Sequence, residues 1–243
     1  MNELHLTTNP TNNPRVFDVY WMTGLLQKGR IRITVPYLDD GLTAAELAAA
    51  QYLLTVKNAC GHNKAGAGLI IYASSSEIPN LIGGISLKAY LAPYGNFLRT
   101  RFLGVVVEHR VAPFDWADEL CEAQVDFIEV EKPAVTVIEV SGVGPVELTA
   151  HAVEKYINRF DRKPEKAWRE ITRISRDAKP AVLLGRNVMH DIKHRRPGQY
   201  VLDEKRGVML VIAQPDRPGM LPRLVTVVKP EANARVAEAT SAT

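Results

Sequence analysis

Cysteine is scarce in this chain: 243 residues hold two, Cys60 and Cys121. Two widely separated thiols do not make a disulfide framework, so a reducing compartment, the cytoplasm, is the expected setting. Apolar runs are short. None approaches the ~18 residues that cross a bilayer, so no membrane partner is expected. The opening MNELHLTTNP has neither the basic flank nor the apolar centre of a signal peptide. Cofactor motifs are missing too. Val143-Gly144-Pro145 is not followed by the Lys-Ser/Thr of a phosphate loop, and no Gly-x-Ser-x-Gly elbow occurs. Cys60-Gly61-His62 offers two ligands where zinc needs four. No cofactor is therefore expected.

The composition that remains is globular, with 46% hydrophobic and 23% charged residues. That length suits one large or two small domains. The net charge of +3 conceals a split. Residues 1–144 carry 11 Lys/Arg and 15 Asp/Glu, a net of −4, whereas residues 145–243 carry 19 and 12, a net of +7. Such asymmetry suggests two units with different partners, the basic one facing a polyanion. A modest basic surplus that only aids solubility is the plainer alternative. The same opposition of charge, across a short Ser-Gly-Val-Gly-Pro linker, raises the expectation that the acidic unit docks on the basic one and restrains it.

Residue patterns predict the elements. Residues 2–8 alternate as a strand. Val16–Leu26 and Arg30–Tyr37 are rich in β-branched and aromatic residues and flank Gln27-Lys28-Gly29, which reads as a hairpin. Arg30, Arg32 and Thr34 alternate with Ile31, Ile33 and Val35, giving one wet face. Thr43 with Glu46 three residues on has the spacing of a capping box before an Ala/Leu-rich helix. Leu69–Ala73 reads as a buried central strand, Arg101–His109 as another, 115–125 as a helix and Ala134–Val140 as a strand. Ser141–Pro145 is the best boundary, giving domains 1–140 and 145–230. A helix over 149–162 buries Val153, Tyr156, Ile157 and Phe160. A second starts at Pro164, which suits a first turn. Strand-like runs follow at Val182–Val188, Gln199–Leu202, Val208–Ala213 and Arg223–Val228, then a frayed, flexible tail over 231–243.

The expected fold class is therefore α/β followed by α+β. The order strand, hairpin, helix, strand, broken helices, strand, helix resembles the ribonuclease H-like fold over about residues 2–125. AAELAAAQYLL resembles that family's first helix, and IIYASSSEI its Thr-Asp-Ser strand. VEHRVAPFDWADELCEA is similar to its last strand, His loop and final helix, and offers His109. The resemblance implies four metal-site positions: Thr8, Glu46, Ser74 and Asp118. Two-metal phosphodiester hydrolysis needs several carboxylates there. Both strand positions carry hydroxyls instead, so a degenerate domain without metal is expected. Two alternatives stay open: Asp18, Asp39 or Asp40 supplies a missing ligand, or Glu46 serves only the capping box.

In the second half, His151, Lys155, Arg159 and Arg162 fall at i, i+4, i+8 and i+11, on one face of the predicted helix. Metal-free phosphoryl chemistry on RNA needs an acid or base and fixed cations of this kind. Two helices and a four-stranded antiparallel sheet with a closing LVTVV strand resemble the barnase–EndoU–colicin–RelE group of small ribonucleases over about 148–230. That resemblance implies metal-independent endoribonuclease chemistry of the toxin type. His151 would be the general acid or base, Arg159 and Arg162 the phosphate contacts, and Thr226 the closing hydroxyl. Arg186 and the loop His190, Lys193, His194, Arg195 and Arg196 are further candidate phosphate contacts, and Tyr200 a stacking platform. The readings for both features that invoke no ligand are a solvated amphipathic helix and a hairpin tip. Two functions follow: an RNA- or single-strand-binding protein with endoribonuclease activity, or a non-catalytic nucleic-acid-binding or assembly factor of a phage or mobile element.

Overall fold

Leu4, Leu6 and Thr8 alternate with His5, Thr7 and Asn9 along β1 (Asn2–Pro10), and the even-numbered set turns into the core. β1 pairs antiparallel with β2 (Val16–Thr23), and β2 with β3 (Lys28–Thr34), whose Ile31 and Ile33 are buried while Arg30 and Arg32 lie on the wetter face. The hairpin and its wet face are as expected. α1 (Gly41–Thr55) packs on the buried face. Its Ala44, Ala45, Leu47, Ala49, Ala50, Leu53 and Leu54 are all buried, and the small alanines let helix and sheet approach closely. β4 (Leu69–Ala73) then adds parallel to β1 and β5 (Val106–His109) parallel to β4. Between them lie the short helices α2 (Glu77–Gly83) and α3 (Asn96–Thr100). β6 (Val125–Glu129) runs parallel to β3 at the far edge. The order is β5-β4-β1-β2-β3-β6.

These elements were obtained in a computed structural model, which describes residues 2–25, 27–61, 65–110, 125–183, 198–215, 217–230 and 234–236. The chain splits into two compact units, Met1–Ala134 and Val135–Thr243. The first is an α/β unit whose mixed sheet and element order are consistent with ribonuclease H-like topology. Its differences from expectation are local. Arg101–Val105 is not strand, because Phe102 N bonds back to Phe97 O, and Gly104 N donates to Ala65 O. A Cβ on Gly104 would sit 2.9 Å from Ala67 N, so this close turn admits only glycine. The helix expected at 115–125 falls outside the described residues except for Val125, which begins β6.

The second unit opens with a hairpin, β7 (Val137–Val140) and β8 (Gly144–Leu148). Of Ser141–Pro145, expected as the boundary, residues 141–143 form its turn and Gly144 and Pro145 open β8, and the division falls between Ala134 and Val135. α4 (Ala150–Phe160) and α5 (Pro164–Asp177) follow, the latter starting at Pro164 as expected. α4 stops short of 162 because Asp161 adopts the left-handed conformation at φ 50°. β9 (Lys179–Leu183), which begins three residues before the Val182 expected, β10 (Gly198–Asp203), β11 (Val208–Ala213) and β12 (Arg223–Val228) form an antiparallel run. The sheet is larger than the four strands foreseen, however. β8 adds parallel to β12, and β13 (Ala234–Val236), inside the supposed tail, adds to β9. The seven-stranded order is β13-β9-β10-β11-β12-β8-β7. The sheet curls strongly. Gly142, at φ 75° in the hairpin turn of one edge, lies so near Pro180 of β9 that a Cβ would be 2.7 Å from its ring. No helix among the described residues is long and apolar enough to cross a membrane.

Candidate functional site

In the first unit, three of the four positions implied by the ribonuclease H resemblance come together. Glu46, midway along α1, is 0% exposed. Its Oε1 accepts from Ser74 N at 2.6 Å, and its Oε2 from Ser74 Oγ at 2.6 Å and Thr8 Oγ1 at 3.1 Å. Thr8 N in turn donates to Ser74 Oγ at 3.3 Å. One carboxylate thus ties α1 to β1 and to the end of β4. The fourth position, Asp118, lies outside the described residues, and His109 is exposed at the end of β5.

The capping-box reading of Glu46 is corrected by this geometry. Asp40 is the N-cap of α1, so Thr43 and Glu46 both lie inside the helix. Thr43 Oγ1 and Ser75 Oγ share a hydrogen bond at 2.8 Å. The alternative ligands are also elsewhere. Asp18 pairs across from Asn9, on the sheet face opposite Thr8, because residues facing one another in a ladder share a side. There it accepts from Arg30 Nη2 at 2.7 Å and from Arg32 Nε at 2.9 Å. Burial works to raise its pKa, but hydrogen bonds from Arg32 and Arg30 outweigh it and hold the carboxyl below the usual range. Asp40 bonds to Lys88 Nζ at 2.6 Å and to the Tyr90 hydroxyl.

The donor set at Glu46 does not fit a two-metal clamp. A carboxylate offers about four lone-pair sites, and three are filled by N–H and O–H donors, one of them an immovable backbone amide. Among the described residues, no three His, Cys, Asp or Glu side chains group closely enough to hold a metal. What the arrangement does is lock elements together. Burial pushes the Glu46 pKa above its ordinary value, and the bonds from Ser74 and Thr8 offset this only in part. The folded state therefore holds this proton more tightly than the unfolded state. Stability contributed here is present below the unfolded pKa and declines as pH rises through the folded one. Glu46→Gln keeps the fold, since an amide oxygen accepts from Ser74 N and its NH₂ donates to the hydroxyls. It is expected to remove that decline. Urea denaturation from pH 4 to 8 checks this; parallel profiles for both proteins would contradict it.

Cys60 is buried and its thiol is pushed up to about 11 by desolvation, which keeps it protonated and a poor metal ligand. Its proposed companion His62 lies outside the described residues.

In the second unit, Thr149 caps α4. Its Oγ1 accepts from Ala152 N at 3.2 Å and donates to Leu224 O at 2.7 Å, fixing the helix start to β12. The helix end is fixed to the same strand: Arg159 Nη1 donates to Val227 O at 2.7 Å and to Thr226 Oγ1 at 3.1 Å. Arg159 and Thr226 therefore meet. His151 is exposed and Lys155 half-buried on the same helix. Eight residues separate His151 from Arg159, about 12 Å of rise, so the imidazole stands two turns from the Arg159–Thr226 pair. Arg162 lies beyond the left-handed Asp161, off the helix, and the i+11 alignment fails for it. Its Nε stands 3.6 Å from Glu170 Oε2 of α5. The Tyr156 hydroxyl donates to the same carboxylate at 2.8 Å, and burial and then this bond raise the phenol's pKa. Tyr200 is half-buried on β10. Arg186, His190, Lys193, His194, Arg195 and Arg196 lie outside the described residues.

One cationic feature was overlooked in the sequence. Lys166, Arg169, Arg173 and Arg176 are exposed along α5 at i, i+3, i+7 and i+10. Their opposite face, Ala167, Ile171 and Ile174, is buried. The spacing alone carries the signal, since it holds four cations within one quadrant of a helix whose apolar stripe lies on another side.

Comparison with protein families finds no match, and no curated protein matches the chain. Among solved structures it is similar to the crystal structure of LC11-RNase H1 in complex with an RNA/DNA hybrid. The identity is 16%, the match covers 49% of this chain and 93% of that one, and the TM-score is 0.37. This is a distant, partial match to a ribonuclease H-like fold.

Proposed function

We propose that this chain binds RNA through its second unit, and that the first unit is a degenerate ribonuclease H-like scaffold. The observation that supports this best is the array of exposed cations on the two helices of the second unit. Arg159 on α4 is clamped by β12, while Lys166, Arg169 and Arg173 on α5 have no carboxylate partner among the described residues. Cations held on rigid helices, with their heads in water, suit contacts to phosphates. The hydroxyl-saturated carboxylate in the first unit supports a structural rather than catalytic part for Glu46.

The Arg159–Thr226 contact favours a second reading, a metal-independent endoribonuclease of the kind the barnase–RelE resemblance implies. There Arg159 would hold a phosphate and Thr226 would orient it, while His151, about 12 Å along α4, would exchange a proton only with a part of the RNA that reaches its end of the helix. The test is one assay. Full-length protein is mixed with labelled RNA in EDTA at low salt, and complex and fragments are followed together. The expected result is a complex that dissolves steeply with added KCl. Fragments that vanish in His151→Ala would establish the endoribonuclease reading; intact RNA in the complex would leave binding alone. Absence of any complex at low salt would overturn the proposal.

A further inference from the structure

We infer that α5 is a ridge for the phosphodiester backbone of a nucleic-acid duplex, read without regard to sequence. The inference rests on the reading that the second unit binds nucleic acid, and it names the surface and the form of the ligand. Lys166, Arg169, Arg173 and Arg176 project from one side of a helix whose opposite side is buried under its own sheet. None of the four has an acidic partner among the described residues. Arg176 Nε donates only to Thr172 O within the helix, at 3.3 Å. Two of the three neighbouring carboxylates are engaged, Glu170 by Tyr156 and Arg162 and Asp177 by Arg206 at 2.8 Å, which leaves Glu165 in the first turn against four cations. Four exposed cations against one uncommitted carboxylate make a surface whose complement is a row of anions.

The geometry specifies which row. From Lys166 to Arg176 the ridge extends about 15 Å, the axial rise of about four phosphates on one strand of a duplex. The cations are fixed to a helix that α4 and the sheet brace, so the row is straight and rigid. Single-strand binding adds aromatic faces on which unpaired bases stack. The row itself holds only Lys and Arg: Trp168, half-buried, lies about 120° around the helix from the row's centre, and Tyr156 is buried with its hydroxyl on Glu170. A cationic row without a stacking surface, and without Asn or Gln placed to read base edges, matches a backbone of regular shape.

The test compares full-length wild type with Lys166→Gln/Arg169→Gln/Arg173→Gln. The probes are a 24-base-pair RNA duplex, a DNA duplex of the same sequence, a scrambled duplex and the single strand, each titrated with KCl. Glutamine keeps helix propensity at these exposed sites, and an unchanged melting temperature verifies the fold. Removing three phosphate contacts is expected to flatten the slope of log K against log salt by two to three and to weaken duplex binding at least tenfold at moderate salt. The loss should be equal for the scrambled duplex. The two duplex arms show whether RNA or DNA supplies the backbone. Wild-type binding with an unchanged slope in the variant would overturn the ridge while leaving the binding reading intact. Single strand bound as tightly as duplex would overturn the duplex assignment. A wild type that binds no probe would overturn the reading itself.

Discussion

Glu46→Ala is expected to destabilise the first unit by about 3 kcal/mol, whereas Glu46→Gln costs about 1 kcal/mol or less. The alanine removes the single acceptor that satisfies Ser74 N, Ser74 Oγ and Thr8 Oγ1. A buried donor left without a partner costs about 1–3 kcal/mol, and Thr8 and Ser74 recover part of this by bonding to each other. Domains are stable by only about 5–15 kcal/mol, so the loss is a large fraction of the total. Equilibrium denaturation of the two variants checks it. Equal stability of alanine and glutamine variants would show that the carboxylate is not a lock. This position separates a structural from a metal-binding account, because in the latter the glutamine would be as damaging as the alanine to function and harmless to the fold.

The second large effect is expected at Arg159. Its guanidinium joins the last turn of α4 to two consecutive residues of β12, and hydrogen bonds from a charged donor are worth about 1.5–3 kcal/mol before exposure discounts them. Arg159→Ala should therefore lower stability by about 1–2 kcal/mol and RNA affinity about tenfold. Arg159→Lys should restore charge but only part of the tie, since both bonds come from Nη1 at the end of a longer, planar guanidinium and the shorter, freely rotating ammonium of lysine holds that position less rigidly. Affinity measured for both variants distinguishes the cases. Full affinity in the alanine variant would mean that Arg159 only braces the helix.

Much of the architecture was legible because it is written in short-range patterns. The alternation of Ile31 and Ile33 with Arg30 and Arg32 gave β3 and its faces, and Pro164 marked the start of α5. Harder elements hide behind residues that strands usually avoid. Gly144 and Pro145 open β8, and the strand tolerates the proline because Pro145 is paired with β7 alone, β12 joining only at Glu147 and Leu148. The role of Glu46 was misread locally for a physical reason. Thr43 and Glu46 have capping-box spacing, but the hydroxyl donors that claim the carboxylate come from 38 and 28 residues away. Their convergence followed from the resemblance, not from spacing. The His151 helix drew attention because it holds an imidazole. The α5 row of four cations holds none and is marked only by its spacing.

The central claim is that nucleic acid meets the second unit and not the first. Photo-crosslinking of 4-thiouridine RNA to the full-length protein, followed by peptide mapping, tests it directly. The account predicts cross-links within residues 150–176 and their loss in high salt. Cross-links confined to residues 2–134 would contradict it.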